Sequence, residues 1–221
     1  MILAIDTATR SAGLAILDPE REVVLAEHTW HSRVNHTVEL TPNLCTMLET
    51  QNLSTADLTG IVVARGPGSF TGLRIGMSIG KALAYAHGID IVAIPTPDII
   101  AHAHQARDLP LWTILQAGRG RVVAAYYPID GPPPSEEEYR ITTLVELAGQ
   151  INEPTLFSGE LDSTAVSQLK QILGEMAVVA SPANRVRRPA HLAEVGWRKL
   201  EAGHTENAAT LAPIYLHRPG P

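Results

Sequence analysis

The chain has 221 residues, 45% of them apolar, with 17 basic against 23 acidic side chains and a net charge of -6. This length suits one large domain or two lobes of about a hundred residues each. The negative net charge argues against a protein that binds nucleic acid without a partner, because neutralising the phosphates needs a basic surface. The single cysteine, the lack of an apolar run of about twenty residues and the absence of a signal peptide predict a cytoplasmic protein without a membrane span.

The first half of the chain predicts three strands in succession, at residues 1–6, 13–17 and 22–29. Their short connections predict antiparallel neighbours. Helices and strands then alternate: a helix from Asn35 to about 51, a strand at 61–64, a helix from 70 or 71, a strand at 89–94 and a helix at 96–107. This order favours a mixed sheet flanked by helices, as in the ribonuclease H-like unit shared by actin-like ATPases.

The second half predicts a weaker copy of the same unit. A boundary at Leu109-Pro110 gives lobes 1–108 and 109–221, with 205–217 able to pack back on the first lobe. The second lobe is predicted to contain strands at 111–116, 122–127, 155–157 and 177–180, and helices at 143–151, 163–173 and 190–202. The predicted fold class is therefore α/β, with two ribonuclease H-like lobes of the actin-like ATPase type, the second one reduced.

Residues 61–88 form the most informative stretch: a buried strand, a glycine turn and a long helix that Ser69 can cap. Small residues recur every four positions, which places them along one face of the helix; they are Gly68, Gly72, Gly76, Gly80, Ala84 and Gly88. Each glycine within the helix costs about 1 kcal/mol relative to alanine. The close approach of another backbone offsets this cost. That backbone could belong to the chain's own sheet or to a second subunit.

A candidate nucleotide site lies where the first strand and the central strand end. Unpaired N–H groups at a helix start attract phosphate, and an acid beside them can hold a metal. The residues predicted for this site are Asp6, Thr7, Ser11, Gly66, Gly68 and Ser69. Asp6 has an alternative role as a turn residue that accepts a hydrogen bond from its own backbone. The matching position of the second lobe is Gln116, a poor ligand for magnesium, so no catalytic residue and no metal site is predicted.

A basic cluster, Arg185, Arg187 and Arg188, lies between two prolines. It could be a solvated loop before a helix, or a contact point for RNA or an acidic partner.

Four segments resemble the TsaB family, also called YeaZ: residues 2–9 (ILAIDTAT), 35–37 (NHT), 65–76 (RGPGSFTGLRIG) and 213–216 (PIYL). The family is similar to TsaD, the subunit that transfers a threonylcarbamoyl group to the tRNA adenosine beside the anticodon. The resemblance implies a non-catalytic pseudo-enzyme that binds and activates TsaD, alongside the ATPase TsaE. It implies that no cofactor is required, and it leaves open whether ATP or ADP binds at the cleft or at the subunit boundary. It also implies that the isolated chain forms a homodimer. Contact with tRNA would come only through the complex.

The resemblance also implies that the first two long helices form the partner interface, which favours a second subunit as the neighbour of the glycines. The predicted interface residues are His36, Leu40, Leu44, Leu48, Gly72, Ile75, Gly76, Ile79 and Gly80. Two other functions stay open. One is an ATP-dependent phosphotransferase acting on its own, and the other is a self-associating scaffold unrelated to tRNA.

Overall fold

The computed structural model describes residues 1–32 and 36–216, so the predicted helix cap at Asn35 lies outside the described residues. The chain divides into two compact units. The first comprises Met1–Ile99 together with Arg188–Tyr215, and the second comprises Ile100–Arg187 together with Leu216. Among the described residues, no helix has the length and apolar character needed to cross a membrane.

The first unit contains a five-stranded mixed sheet. Its strands are β1 (Ile2–Asp6), β2 (Ser11–Asp18), β3 (Val23–His31), β4 (Gly60–Gly66) and β5 (Asp90–Pro95). They lie in the order β3-β2-β1-β4-β5, with β1, β2 and β3 antiparallel and β1, β4 and β5 parallel. The predicted antiparallel trio and the mixed sheet are therefore confirmed. β1 is buried along its whole length, as its apolar sequence requires for a strand covered on both faces.

Helices α1 (His36–Thr50) and α2 (Phe70–His87) pack on one face of this sheet, and Pro42 lies inside α1. Their apolar side chains meet those of β1 and β4 in one core, which includes Leu3, Leu44 and Met77. The next helix, α3 (Thr96–His102), is shorter than predicted, because the chain after it forms turns in which Ala103 and His104 donate to carbonyls of the preceding turn.

The second unit repeats the plan with a sheet in the order β10-β9-β6-β7-β8. Its strands are β6 (Leu111–Gly118), β7 (Arg121–Tyr127), β8 (Arg140–Thr142), β9 (Thr155–Gly159) and β10 (Ala177–Val179). Its helices are α4 (Leu144–Ala148) and α5 (Ser163–Leu173). The predicted reduced copy is confirmed, and α5 has the predicted bounds. Strand β8 was not predicted.

The last helix, α6 (Pro189–Glu201), belongs to the first unit, so its predicted place in the second unit is wrong. It covers the other face of the first sheet, where Leu192 and Ala193 are fully buried against Val62. The two elements approach so closely that a Cβ at Gly196 would lie 2.8 Å from the Cβ of Val62. A buried strand such as β1 needs an apolar layer on both sides, and α6 supplies the second one.

Candidate functional site

The turn between β1 and β2 is held against the start of α2. The carboxylate of Asp6 accepts a hydrogen bond from the backbone N–H of Ala8 at 2.9 Å, within its own turn. The carbonyl of Ala8 in turn accepts from the backbone N–H of Ser69 at 2.6 Å. The hydroxyl of Thr7 donates to the carbonyl of Gly72 at 2.7 Å. The last two bonds join the β1–β2 turn to the loop that starts α2, and the first holds the turn itself.

Ser69 caps α2 as predicted: its side-chain oxygen accepts from the backbone N–H of Gly72 at 3.2 Å. Gly66, which precedes this cap, has a φ of 105° and a cis peptide bond to Pro67. A side chain at Gly66 would also collide with the carbonyl oxygen of Ile214, 2.8 Å from the position of a Cβ. The positive φ and the close Ile214 oxygen both require glycine at this position.

Most of the residues predicted to bind nucleotide lie in one hydrogen-bond network, and in this network they bond to other residues of the chain. Asp6, Thr7, Gly68 and Ser69 lie around the carbonyls of the β1–β2 turn. Ser11 lies in β2, where its backbone N–H donates to the hydroxyl of Thr9 at 3.2 Å. The bond from Ala8 supports the alternative interpretation of Asp6 as a turn residue, and nucleotide binding stays a prediction.

The glycine face of α2 packs against the chain itself. A Cβ at Gly72 would lie under 3.0 Å from the carbonyl oxygen of Thr7, and one at Gly76 equally close to the Thr7 hydroxyl. A Cβ at Gly80 would lie 2.6 Å from Cγ1 of Val63 in β4. The prediction that these glycines contact a second subunit is therefore wrong. They are small because β1, its turn and β4 lie directly beneath the helix.

Four other predicted interface residues are also covered within the chain. His36, Leu40, Leu44 and Leu48 are at most 9% exposed, because they form the inner side of α1. Only Ile75 and Ile79 of the predicted set are partly exposed. The exposed residues of α1 and α2 are different ones, and six of them are here called the outer face: Val38, Thr41, Cys45, Ser78, Ala82 and Tyr85. Within it, Val38 is 61% and Tyr85 is 89% exposed.

His36 occupies the buried junction between α1 and the β1–β2 turn. Burial lowers the pKa of its imidazole, while nearby Glu39, the backbone of Thr9 and Asp6 act in the opposite direction. Among the described residues, its buried Nδ1 atom has no hydrogen-bond partner. The ring therefore lies between the turn and the start of α1, where burial disfavours its charged form.

In the second unit, a carboxylate that the sequence analysis does not predict meets the end of β6. Gln116 stands at the predicted position, and its backbone N–H donates to the side chain of Glu160 at 2.9 Å. Glu160 follows β9, and it also pairs with Arg187 at 3.6 Å. Gly159 has a φ of 109° that turns the chain at the end of β9, and no pattern in the sequence indicates which strand the next residue meets.

The three clustered arginines do not share one role. Arg187 is 5% exposed and pairs with Glu160, so the interpretation of a solvated loop is wrong for this residue. Arg188 forms an ion pair with Glu27 of β3. Arg185 is only partly exposed, and one of its guanidinium nitrogens is buried. Contact with RNA stays untested for all three.

The C-terminal segment brings two of the four sequence motifs into contact. The backbone N–H of Ile214 donates to the carbonyl of Arg65 at 2.9 Å, although the segment forms no strand of the sheet. Tyr215 packs on Phe70 with ring centroids 4.9 Å apart. Its hydroxyl accepts from Nε of Arg74 at 3.0 Å, and the Arg74 guanidinium lies 4.0 Å above the ring of Phe70. The segment thus fastens the loop that starts α2.

Comparison with known proteins agrees with this architecture. Residues 24–220 match the model of the family described as "TsaD: tRNA N6-adenosine threonylcarbamoyltransferase". The chain is 31% identical over 220 residues to the tRNA threonylcarbamoyladenosine biosynthesis protein TsaB of Bacillus subtilis, covering 97% of this chain and 93% of that protein.

Solved structures show the same fold. YeaZ from Pseudomonas aeruginosa superposes with a TM-score of 0.70 at 20% identity, over 97% of this chain and 99% of that one. A Bacteroides thetaiotaomicron protein described as having an actin-like ATPase fold matches with a TM-score of 0.50 at 11% identity, over 84% of this chain and 93% of that one. The expected actin-like, ribonuclease H-like α/β fold is thereby confirmed. With nearly its whole length matched to a curated relative, the chain belongs to the TsaB (YeaZ) family of tRNA threonylcarbamoyladenosine biosynthesis proteins.

Proposed function

We propose that this chain acts in the biosynthesis of threonylcarbamoyladenosine in tRNA, as a non-catalytic partner that binds and activates TsaD together with TsaE. The observation that carries the proposal is the internal use of the β1–β2 turn. Thr7 and Ala8 bond to the first turn of α2, and Asp6 accepts from the backbone of its own turn. A phosphate-binding loop needs donors directed at its ligand. Family membership supports the biological process.

The outer face of α1 and α2 is the proposed contact surface for TsaD. Its exposed Val38 and Tyr85 provide apolar and aromatic area, while Ser78 and Ala82 are small enough for a partner helix to approach closely. We propose that the same surface forms a homodimer when TsaD is absent. The proposal places the complex in the cytoplasm, with tRNA contacted only through the assembled subunits.

The outer face is tested by placing a charge on it. Ala82→Arg introduces a long cation on α2, and Gln171→Arg introduces the same side chain at an exposed position of α5 in the other unit. A buried unpaired charge in an interface costs several kcal/mol, so Ala82→Arg should weaken TsaD binding by at least about tenfold. The Gln171→Arg control should bind normally, and both variants should keep the melting temperature of the unsubstituted chain. Normal TsaD binding by Ala82→Arg would place the interface elsewhere.

The functional role is tested by reconstitution of tRNA modification from TsaD, TsaE and this chain with a threonylcarbamoyl donor. Modification should require the chain, and equal activity without it would refute the proposal.

The rival phosphotransferase predicts ATP turnover by the purified chain with magnesium, abolished by Asp6→Asn. The rival scaffold predicts that the chain does not co-purify with TsaD.

A further inference from the structure

A largely shielded ion pair lies beside the end of β6, in the second unit. One oxygen of Glu160 accepts from the backbone N–H of Gln116 at 2.9 Å. The other oxygen lies 3.6 Å from a guanidinium nitrogen of Arg187. The side chains of Glu160 and Arg187 are 23% and 2% exposed, so the pair is largely shielded from solvent.

The backbone holds Glu160 in this position at several points. Gly159 has a positive φ that an L side chain rarely adopts, and a Cβ there would lie 3.1 Å from the backbone nitrogen of Ile114. The next residue, Glu160, donates its N–H to the carbonyl of Ile114 at 2.7 Å. The side-chain amide of Gln116 donates to the carbonyl of Glu160 at 2.9 Å. The carboxylate is therefore directed by the fold and not by a flexible loop.

The donors around this carboxylate are those of an anion receptor. The backbone N–H of Gln116 provides a hydrogen bond, and the guanidinium 3.6 Å away provides electrostatic attraction, to carboxylates and phosphates alike. A guanidinium that is 98% shielded is costly to bury without an anion close to it. Glu160 supplies that anion from within the chain.

We propose that Glu160 is a built-in ligand, whose carboxylate fills an oxyanion site formed by the Gln116 backbone N–H and the Arg187 guanidinium and so keeps small external oxyanions out of this end of β6. The site accepts small carboxylates and inorganic phosphate once the Glu160 side chain is shortened. The inference concerns the second unit alone, and it holds whether or not the chain activates TsaD.

The test is chemical rescue of the shortened side chain. Glu160→Ala removes the carboxylate and leaves its donors, whereas Glu160→Gln keeps the shape and fills the same space. Glu175→Ala removes an exposed carboxylate of the same unit and is the matched control. Melting temperatures of the full chain are measured with sodium formate, sodium phosphate or sodium chloride at equal ionic strength.

Glu160→Ala should have a lowered melting temperature that formate and phosphate raise in a saturable manner. The rise should be about 3 °C at ten times the dissociation constant, with no such effect of chloride. The unsubstituted chain, Glu160→Gln and Glu175→Ala should show no saturable rise. If formate and phosphate act on all four proteins alike, or fail to act on Glu160→Ala, the inference is overturned.

If Glu160→Ala is recovered only as aggregate, the same comparison is made on refolding. A soluble yield that increases several-fold in formate over chloride supports the oxyanion site. Equal yields in the two salts overturn it.

Discussion

Alanine at position 72 should destabilise the folded chain, even though it lies in a helix. A Cβ there would lie under 3.0 Å from the carbonyl oxygen of Thr7 and 3.3 Å from the ring of His36. The obstructing atom belongs to the backbone of a short turn. Because the Thr7 hydroxyl donates to the Gly72 carbonyl and the Ala8 carbonyl accepts from Ser69, the turn cannot move away without breaking these bonds.

The opposing contributions can be compared in size. Alanine has a helix propensity better than that of glycine by about 1 kcal/mol. Overpacking a filled site costs about 1–3 kcal/mol, and each hydrogen bond lost as the turn moves adds about 0.5–1.5 kcal/mol. The net loss should be about 2 kcal/mol of unfolding free energy. For a chain of this size, that loss lowers the melting temperature by about 4–8 °C.

Thermal and urea unfolding followed by circular dichroism measure this loss. Ser78→Ala, on the exposed side of the same helix, is the matched control and should change stability by less than about 0.5 kcal/mol. The two variants separate packing inside the chain from packing against a partner. If Gly72→Ala is as stable as the unsubstituted chain but binds TsaD less well, the glycine face contacts the partner and our assignment is refuted.

Two further predictions concern a buried histidine and the C-terminal segment. Burial lowers the pKa of His104, whose ring lies 2.7 Å from the Ser158 hydroxyl. Below the ordinary histidine pKa of about 6.5, the unfolded chain therefore binds a proton at this side chain more readily than the folded chain does. The unfolding free energy should therefore be highest above that pKa and fall as the pH is lowered from 7 to 5.5. His104→Gln should reduce this fall in urea titrations, and an equal fall in the variant would contradict the prediction. Tyr215→Ala removes the ring contact with Phe70, so the amide of Ile214 should exchange with deuterium at least about tenfold faster by mass spectrometry, whereas Tyr215→Phe keeps the ring and should change it less.

The elements that the sequence predicts well are those specified by nearby residues. The apolar run of β4, the hydroxyl of Ser69 three residues before an N–H that needs an acceptor, and the periodic apolar face of α5 are all local signals. They fix which element forms and where it starts. They apply equally to both units, which is why the α/β class and the repeated plan could be predicted.

Identifying the neighbour of each element required the fold. The glycine spacing of α2 predicts a bare helix face, but a sheet of the same chain and a second subunit would satisfy it equally. The amphipathic pattern of α6 predicts a buried side without saying which sheet it covers. Glu160 meets Gln116 across 44 positions of sequence, through a glycine turn whose positive φ leaves no side-chain pattern to read.

The position of α6 on the first sheet also sets the order in which the chain can be completed during synthesis. Strands β1 and β4 leave the ribosome early, yet the layer that covers their second face lies beyond the whole of the second unit. A nascent chain that stops before Arg188 holds a sheet with one apolar side in water, and such surfaces associate with one another. The first unit is therefore the first to be translated but the last to be fully covered. A product truncated before α6 exposes the apolar face of the first sheet that α6 otherwise covers.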